Sequence, residues 1–231
     1  MPHSPLAILF DLDGTLVDTA PDLLASLNTV LRRVGHRPVV PRELRNMVGH
    51  GVKALFERAF NETGISVSPE ELADYCGEFV AHYRANIARA SRPFPHVPET
   101  LKRLADEGAT LGVCTNKPQE LTELLLGQLD LARYFGAVYG SGKASRNKPD
   151  PRHVLELVDA LNGTGERAVM VGDSMIDVAA ARGAHIPVIV MSYGYSPVAA
   201  RDLGADAVLD DFAVLPETIA RVTKKALVRA G

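Results

Sequence analysis

Short apolar runs separated by stretches of helical spacing constrain this chain more than any other feature. The strongest runs are Leu6–Phe10, Thr110–Thr115, Ala168–Val171 and Pro187–Met191, with weaker ones at Ala137–Tyr139 and Ala207–Leu209. Near-continuous hydrophobicity over so few residues suits strands covered on both faces, as in a parallel sheet. Between the runs, Pro98–Glu107, Pro118–Leu129, Pro151–Leu161, Met175–Arg182 and Leu215–Arg229 read as helices. Strand–helix alternation of this kind predicts an α/β fold built on a doubly wound parallel sheet.

One segment breaks the rhythm. From Pro21 to about Ala90 no convincing strand occurs, and the apolar residues have helical spacing. Leu23, Leu24, Leu27, Val30, Leu31 and Val34 make one face, and Gly35 supplies the stop. Further on, Ser68-Pro69-Glu70-Glu71 reads as an N-cap, a proline at the first helical position and a capping-box glutamate. The expected organisation is an α/β core of residues 1–17 and 92–231 with an all-helical insertion over 18–91. Its hinges are expected at Val17–Ala20 and the proline-rich Ser91–Pro98.

Composition removes several function classes. The 25 basic and 28 acidic side chains give a net charge of −3, with no run of one sign. Binding to nucleic acid or to an anionic membrane through bulk charge is therefore not expected. Cys76 and Cys114 are far apart and form no CxxC pair, which excludes a disulfide framework or zinc knuckle and points to a reducing compartment. The run Leu6–Phe10 ends at Asp11 without a basic flank or small-residue cleavage site, too short for a signal peptide or membrane span. A soluble, cytoplasmic protein, monomeric or homodimeric, is the expectation.

The strongest chemical signal is Asp11-Leu12-Asp13-Gly14-Thr15, directly after the first strand. Two carboxylates at i and i+2, where a strand runs into a glycine turn, point at one crevice, and ligands of open α/β sheets bind beyond the strands' carboxyl ends. Three further motifs occupy comparable positions. Thr115-Asn116 follows the second strong run, Lys148-Pro149 precedes a helix, and Gly172-Asp173-Ser174-Met175-Ile176-Asp177 follows Ala168–Val171. Singly, each is an ordinary cap, loop or helix start. Together and in this order they make a site. The seven histidines show no HxxxH or HxH spacing, Ser174 has no nearby histidine, and Cys114 ends a buried strand, so other chemistries fare worse.

These four motifs resemble those of the haloacid dehalogenase superfamily of phosphotransferases, and the resemblance covers nearly the whole chain. It implies a Rossmann-like core, with the insertion as the superfamily's helical cap. Within the superfamily, Asp11–Thr19 and the cap stretch Val48-Gly49-His50-Gly51, followed by Leu55 and Arg58-Ala59, are similar to phosphoglycolate phosphatases. The segment Ser141–Asn147 before Lys148 departs from the relatives' pattern.

The roles this implies agree with the physics of phosphoryl transfer, which needs cations and donors around an in-line nucleophile. Asp11 would be the nucleophile and form an aspartyl-phosphate, and Asp13 would protonate the leaving alkoxide and then accept a proton from water. Mg²⁺ fits beside a phosphate with few carboxylates; Asp11, the Asp13 backbone carbonyl and Asp173 resemble its ligands in the family, with Asp177 behind them. Thr115 and Asn116 would donate to the phosphoryl oxygens and Lys148 would neutralise them. On the cap, Gly49-His50-Gly51-Val52-Lys53 reads as a glycine turn opening a helix, with backbone N–H groups, His50 and Lys53 available to a substrate carboxylate. The expected activity is hydrolysis of a small phosphorylated metabolite, foremost 2-phosphoglycolate. A pyrophosphatase, a sugar-phosphate phosphatase, a β-phosphoglucomutase and an inactive scaffold-type binding protein stay open as alternatives.

Overall fold

Each predicted apolar run is a strand, and the strands join into one sheet. The computed structural model describes residues 5–45, 47–49, 51–61 and 66–230 of the chain. In chain order, β1 (Ala7–Phe10) is followed by β2 (Val17–Asp18) and four helices, α1 (Ala20–Arg33), α2 (Pro41–Arg45), α3 (Val52–Asn61) and α4 (Pro69–Ala85). Then come β3 (Arg92–Pro93), α5 (Val97–Asp106), β4 (Thr110–Pro118), α6 (Gln119–Gln128) and β5 (Ala137–Ser141). The remainder is α7 (Arg152–Ala160), β6 (Ala168–Gly172), α8 (Met175–Gly183), β7 (Val188–Met191), β8 (Ala207–Leu209) and α9 (Leu215–Ala230).

The six-stranded sheet has the order β5-β4-β1-β6-β7-β8, and every pairing in it is parallel. All four residues of β1 are buried, because consecutive side chains point to opposite faces and both faces are covered. Ile8 and Phe10 pack with residues of α5, α6 and α9, including Leu101, Leu125 and Ile219. Ala7 and Leu9 pack with Val154, Leu157 and Val158 of α7 and Val178 and Ala181 of α8. Phe10 also meets Phe135 and Phe212 edge-on and tilted, at 6.3 and 6.0 Å between centroids. Truncating such a ring typically costs about 3–5 kcal/mol.

The chain steps from β1 to β4 on one side and later returns to β6 on the other. The connections leaving the carboxyl ends of β1, β4 and β6 therefore diverge and open a crevice above β1.

The helical cap is inserted between β2 and β3, which pair antiparallel through Val17 with Pro93 and Asp18 with Arg92. Two-residue strands leave no periodicity to read, so sequence reasoning places hinges here but not their pairing. Buried Asp22 of α1 accepts hydrogen bonds from the Ser91 backbone N–H and hydroxyl, both at 2.7 Å, and from Ala90 N–H. The outgoing helix is thereby tied to the returning linker. The capping box at Ser68 is present: Ser68 Oγ accepts from Glu71 N at 3.2 Å and Glu71 Oε2 from Ser68 N at 2.8 Å. The cap has its own aromatic core, in which Phe56 stacks on Phe60, meets Phe79 edge-on, and Phe79 stacks on Tyr83. Among the described residues no helix is long and apolar enough to cross a membrane.

Candidate active site

The loop after β1 turns back on itself at once. Leu12 O accepts from the N–H groups of Leu16 and Val17, and Gly14 N–H donates to Val17 O at 3.0 Å. Gly14 has φ +87°, and a Cβ there would stand 2.6 Å from Asp173 Oδ2. Glycine is needed twice over, for its left-handed backbone and for the close approach of the loop to the β6–α8 junction.

This turn, the end of β4, the approach to α7 and the start of α8 converge on one cavity of about 440 Å³. Asp11, Asp13, Thr115, Asn116, Lys148 and Asp173 line its core side. Gly49, Gly51, Val52, Leu55, Arg58, Phe79 and Tyr83 line its cap side.

Asp11, Asp173 and Asp177 each offer a carboxylate oxygen within 4.8 Å of the others. Lys148 stands among them, its Nζ 2.6 Å from Asp177 Oδ1 and 3.1 Å from Asp11 Oδ1. Asp177 is held by its own helix, for its Oδ2 accepts from Ser174 N, Ser174 Oγ and Asp173 N at 3.0, 2.7 and 3.2 Å. Asp173 accepts from Tyr195 N at 2.6 Å and from Thr15 Oγ1 at 3.2 Å.

Burial pushes the Asp11 carboxyl up to about 6, against the pull of Lys148 and with Asp177 adding to the rise. Burial likewise raises Asp173 well above the usual carboxylate range, helped by Asp177 and Asp11. Burial disfavours the Lys148 cation, yet Asp11 and Asp177 more than offset this and hold it charged. Two buried carboxylates and the half-buried Asp11 facing one ammonium leave negative charge uncompensated, and a divalent cation with oxygen ligands would supply what is missing. The acidic cluster thus fits a metal ion.

The Asp13 carboxylate turns away from this cluster to Lys117, whose Nζ lies 3.0 and 3.2 Å from its two oxygens. Lys117 also donates to Tyr83 Oη at 2.8 Å. Sequence reasoning passed over Lys117, although a lysine between Thr115-Asn116 and Pro118 at the end of an apolar strand was its one visible signal. Tyr83, four residues after Phe79, reads as helix core and gave none.

Thr115 is buried, and its Oγ1 accepts from Lys117 N at 3.2 Å, which leaves the hydroxyl hydrogen for another partner. The Asn116 amide nitrogen donates to Gly49 O at 3.2 Å and Lys148 O at 2.9 Å, so both of its hydrogens are engaged. Asp177 lies behind Lys148 and does not line the cavity. Gly49 and Gly51, at φ +96° and +88°, shape the turn before α3 and face the core site. Lys53 differs from expectation: its side chain is 75% exposed, pairs with Glu57 at 3.7 Å and is not among the lining residues. One turn and a half further along α3, Arg58 lines the cavity instead. His50 lies outside the described residues.

The comparisons with known proteins agree with this architecture. The family model for haloacid dehalogenase-like hydrolases matches residues 8–191. The phosphoglycolate phosphatase of Agrobacterium fabrum is 42% identical over 230 residues, 99% of this chain and 98% of that protein. That of Caulobacter vibrioides is 44% identical over 210 residues, 91% and 89% of the two chains. A crystal structure from Haemophilus somnus, described as a predicted phosphoglycolate phosphatase, superposes with a TM-score of 0.88 at 29% identity over 94% of this chain and 99% of that one. The CbbY protein of Rhodobacter sphaeroides, solved in complex with phosphate, superposes with a TM-score of 0.79 at 25% identity over 91% and 96%. With its sheet order, its inserted cap and the cluster at the ends of β1, β4 and β6, the chain belongs to the haloacid dehalogenase-like hydrolases.

Proposed function

We propose that this protein is a Mg²⁺-dependent phosphomonoesterase that hydrolyses 2-phosphoglycolate through an aspartyl-phosphate on Asp11. The observation that carries the reading is the convergence, in one cavity, of a buried carboxylate at the end of β1, a cation beside it and a second carboxylate two residues on. The relatives named above support the choice of substrate.

Asp11 attacks phosphorus, and the bond to the substrate oxygen breaks as Asp13 delivers a proton to that oxygen. Glycolate leaves with the proton. Water then attacks the aspartyl-phosphate, Asp13 takes up its proton, and phosphate leaves Asp11 as the free carboxylate. Thr115 donates its hydroxyl hydrogen to a phosphoryl oxygen, and Lys148 balances the charge as the group passes. Asn116 serves the same end by holding the Lys148 backbone and the cap turn in place. Asp11, Asp173 and the Asp13 backbone carbonyl would hold Mg²⁺, which supplies charge neutralisation at the phosphoryl oxygens.

The substrate carboxylate is assigned to the cap wall, at the backbone of Gly49 and Gly51. Arg58, which lines the cavity where Lys53 does not, stands in for Lys53 here, since a guanidinium in the cavity wall can pair with a carboxylate through two hydrogen bonds. A larger phosphorylated sugar is the second reading, favoured by a cavity of about 440 Å³, far more than a two-carbon acid fills.

A panel of 2-phosphoglycolate, a hexose phosphate, pyrophosphate and p-nitrophenyl phosphate, assayed with Mg²⁺ and with chelator, tests the proposal. The expected result is the highest kcat/KM for 2-phosphoglycolate, lost with chelator. A preference for the hexose phosphate would favour the second reading, and turnover of none would leave a binding protein.

A further inference from the structure

The Lys117 ammonium spans the cleft between cap and core. It takes Asp13 from the core loop and Tyr83 from cap helix α4, and Lys117 itself belongs to β4. Lys117 and Tyr83 are both buried, at 6% and 1% exposure, and the Asp13 side chain keeps 15%. The Nζ atom also sits 4.5 Å from the centroid of the Tyr83 ring.

A lysine side chain has four flexible bonds and does not hold its ammonium still by itself. Here the Tyr83 hydroxyl fixes it, at 2.8 Å, and the tyrosine ring is fixed in turn by its stack on Phe79, 5.7 Å between centroids. The cap's aromatic core therefore decides where Nζ sits, and Nζ decides how the Asp13 carboxylate is turned. Among the described residues no other side chain hydrogen-bonds to the Asp13 carboxylate.

We propose that Tyr83 is a positioning residue, which through Lys117 orients Asp13 for proton transfer and makes that step depend on a seated cap. The assignment rests on the reading of Asp13 as the acid and base of a phosphatase. A cap that lifts from the core carries Tyr83 away from Lys117 and frees Asp13. Closure restores the orientation just as water is excluded. The competing interpretation is a plain cap–core tie with no bearing on chemistry.

Tyr83→Phe separates the two, because it keeps the ring and its packing and removes only the hydroxyl. Single-turnover phosphorylation is measured with 2-phosphoglycolate, whose alkoxide needs a proton, and with p-nitrophenyl phosphate, whose phenolate needs little. Positioning predicts that Tyr83→Phe slows the first by about tenfold, a part of the 10²–10⁴ of a full acid catalyst, and the second far less, with KM little changed for either. Lys117→Met should show the same pattern more strongly, and the double variant should be no worse than Lys117→Met alone, because Tyr83 acts through the lysine. Equal losses on both substrates, no loss on either, or losses that multiply in the double variant would overturn the proposal. Should Lys117→Met fail to fold, the substrate ratio of Tyr83→Phe decides alone. A wild-type protein inert toward both substrates would instead remove the phosphatase reading, and the assignment with it.

Discussion

Lys148 Nζ lies 2.6 Å from Asp177 Oδ1, and the two side chains are 1% and 0% exposed. Asp177 is anchored by the first turn of α8, so the helix that follows β6 sets the position of the cation that faces the end of β1.

Removing that cation should be costly. Lys148→Met leaves buried Asp177 and half-buried Asp11 without their ammonium, and breaking a buried pair such as Lys148–Asp177 costs about 3–5 kcal/mol. Chemical unfolding at neutral pH checks this. A loss below about 1 kcal/mol, the range of a surface pair, would mean that Lys148 is not what balances the cluster.

Metal binding should be visible apart from turnover. A ligand that binds only the folded state stabilises it by RT ln(1 + L/Kd) at free ligand concentration L, so the melting temperature keeps rising with ligand concentration above Kd. Added Mg²⁺ should therefore raise Tm in the wild type, and Asp173→Asn should suppress the rise. An undiminished shift in Asp173→Asn would put the cation elsewhere.

Gly14 should tolerate no side chain. Gly14→Ala must hold φ +87° and drive its Cβ toward Asp173 Oδ2, 2.6 Å away. A strained backbone position costs about 1–3 kcal/mol, and the displaced Asp173 should weaken the Mg²⁺ response as well. A thermal melt with and without Mg²⁺ reads both effects. Wild-type behaviour in both would show that the turn can relax.

What could be read in advance follows from how local each signal is. Ile8 and Phe10 on one face and Ala7 and Leu9 on the other announce a two-sided sheet, because a strand buried on both faces has no polar positions. Ser68 and Glu71 announce a helix start, because both partners of the capping box lie within four residues. Asp11, Thr115, Lys148 and Asp173 were legible as a set because each sits at a strand end or a helix approach. Lys117 with Tyr83 was not, because their partnership joins positions 34 residues apart across two structural units. The direction of Lys53 was equally hidden, for its exposure depends on how α3 is rolled against α4. Tyr195, whose N–H holds Asp173 and whose hydroxyl reaches Asp18, lies in a loop with no periodicity at all.

The buried histidine of α7 should give a pH signature. His153 donates through Nε2 to Tyr139 O, 3.0 Å away, while buried Nδ1 has no partner. Burial holds its pKa down to about 4, against 6.5 for a free histidine. The unfolded chain binds this proton more readily, so the stability it contributes is complete above pH 6.5 and is lost as pH falls toward 4. The loss amounts to about 3 kcal/mol. His153→Gln, which keeps a donor and cannot titrate, should lose less stability than wild type between those pH values. Parallel stability curves would show that His153 does not titrate in this window.

A proton donor matters in proportion to how much the leaving group needs one. Asp13→Asn should slow phosphorylation by alkyl phosphates by about 10²–10⁴ and by aryl phosphates much less. Equal losses in single-turnover experiments would assign Asp13 another role.

The proposed reaction requires that Asp11 itself become phosphorylated. Rapid acid quench during a single turnover of 2-phosphoglycolate, followed by peptide mass mapping, measures this directly. One phosphoryl group should appear on the peptide that holds Asp11, rise and decay within the turnover, and be absent from Asp11→Asn, which should also release no phosphate. Turnover in Asp11→Asn, or turnover in the wild type without a phosphorylated Asp11 peptide, would contradict the account.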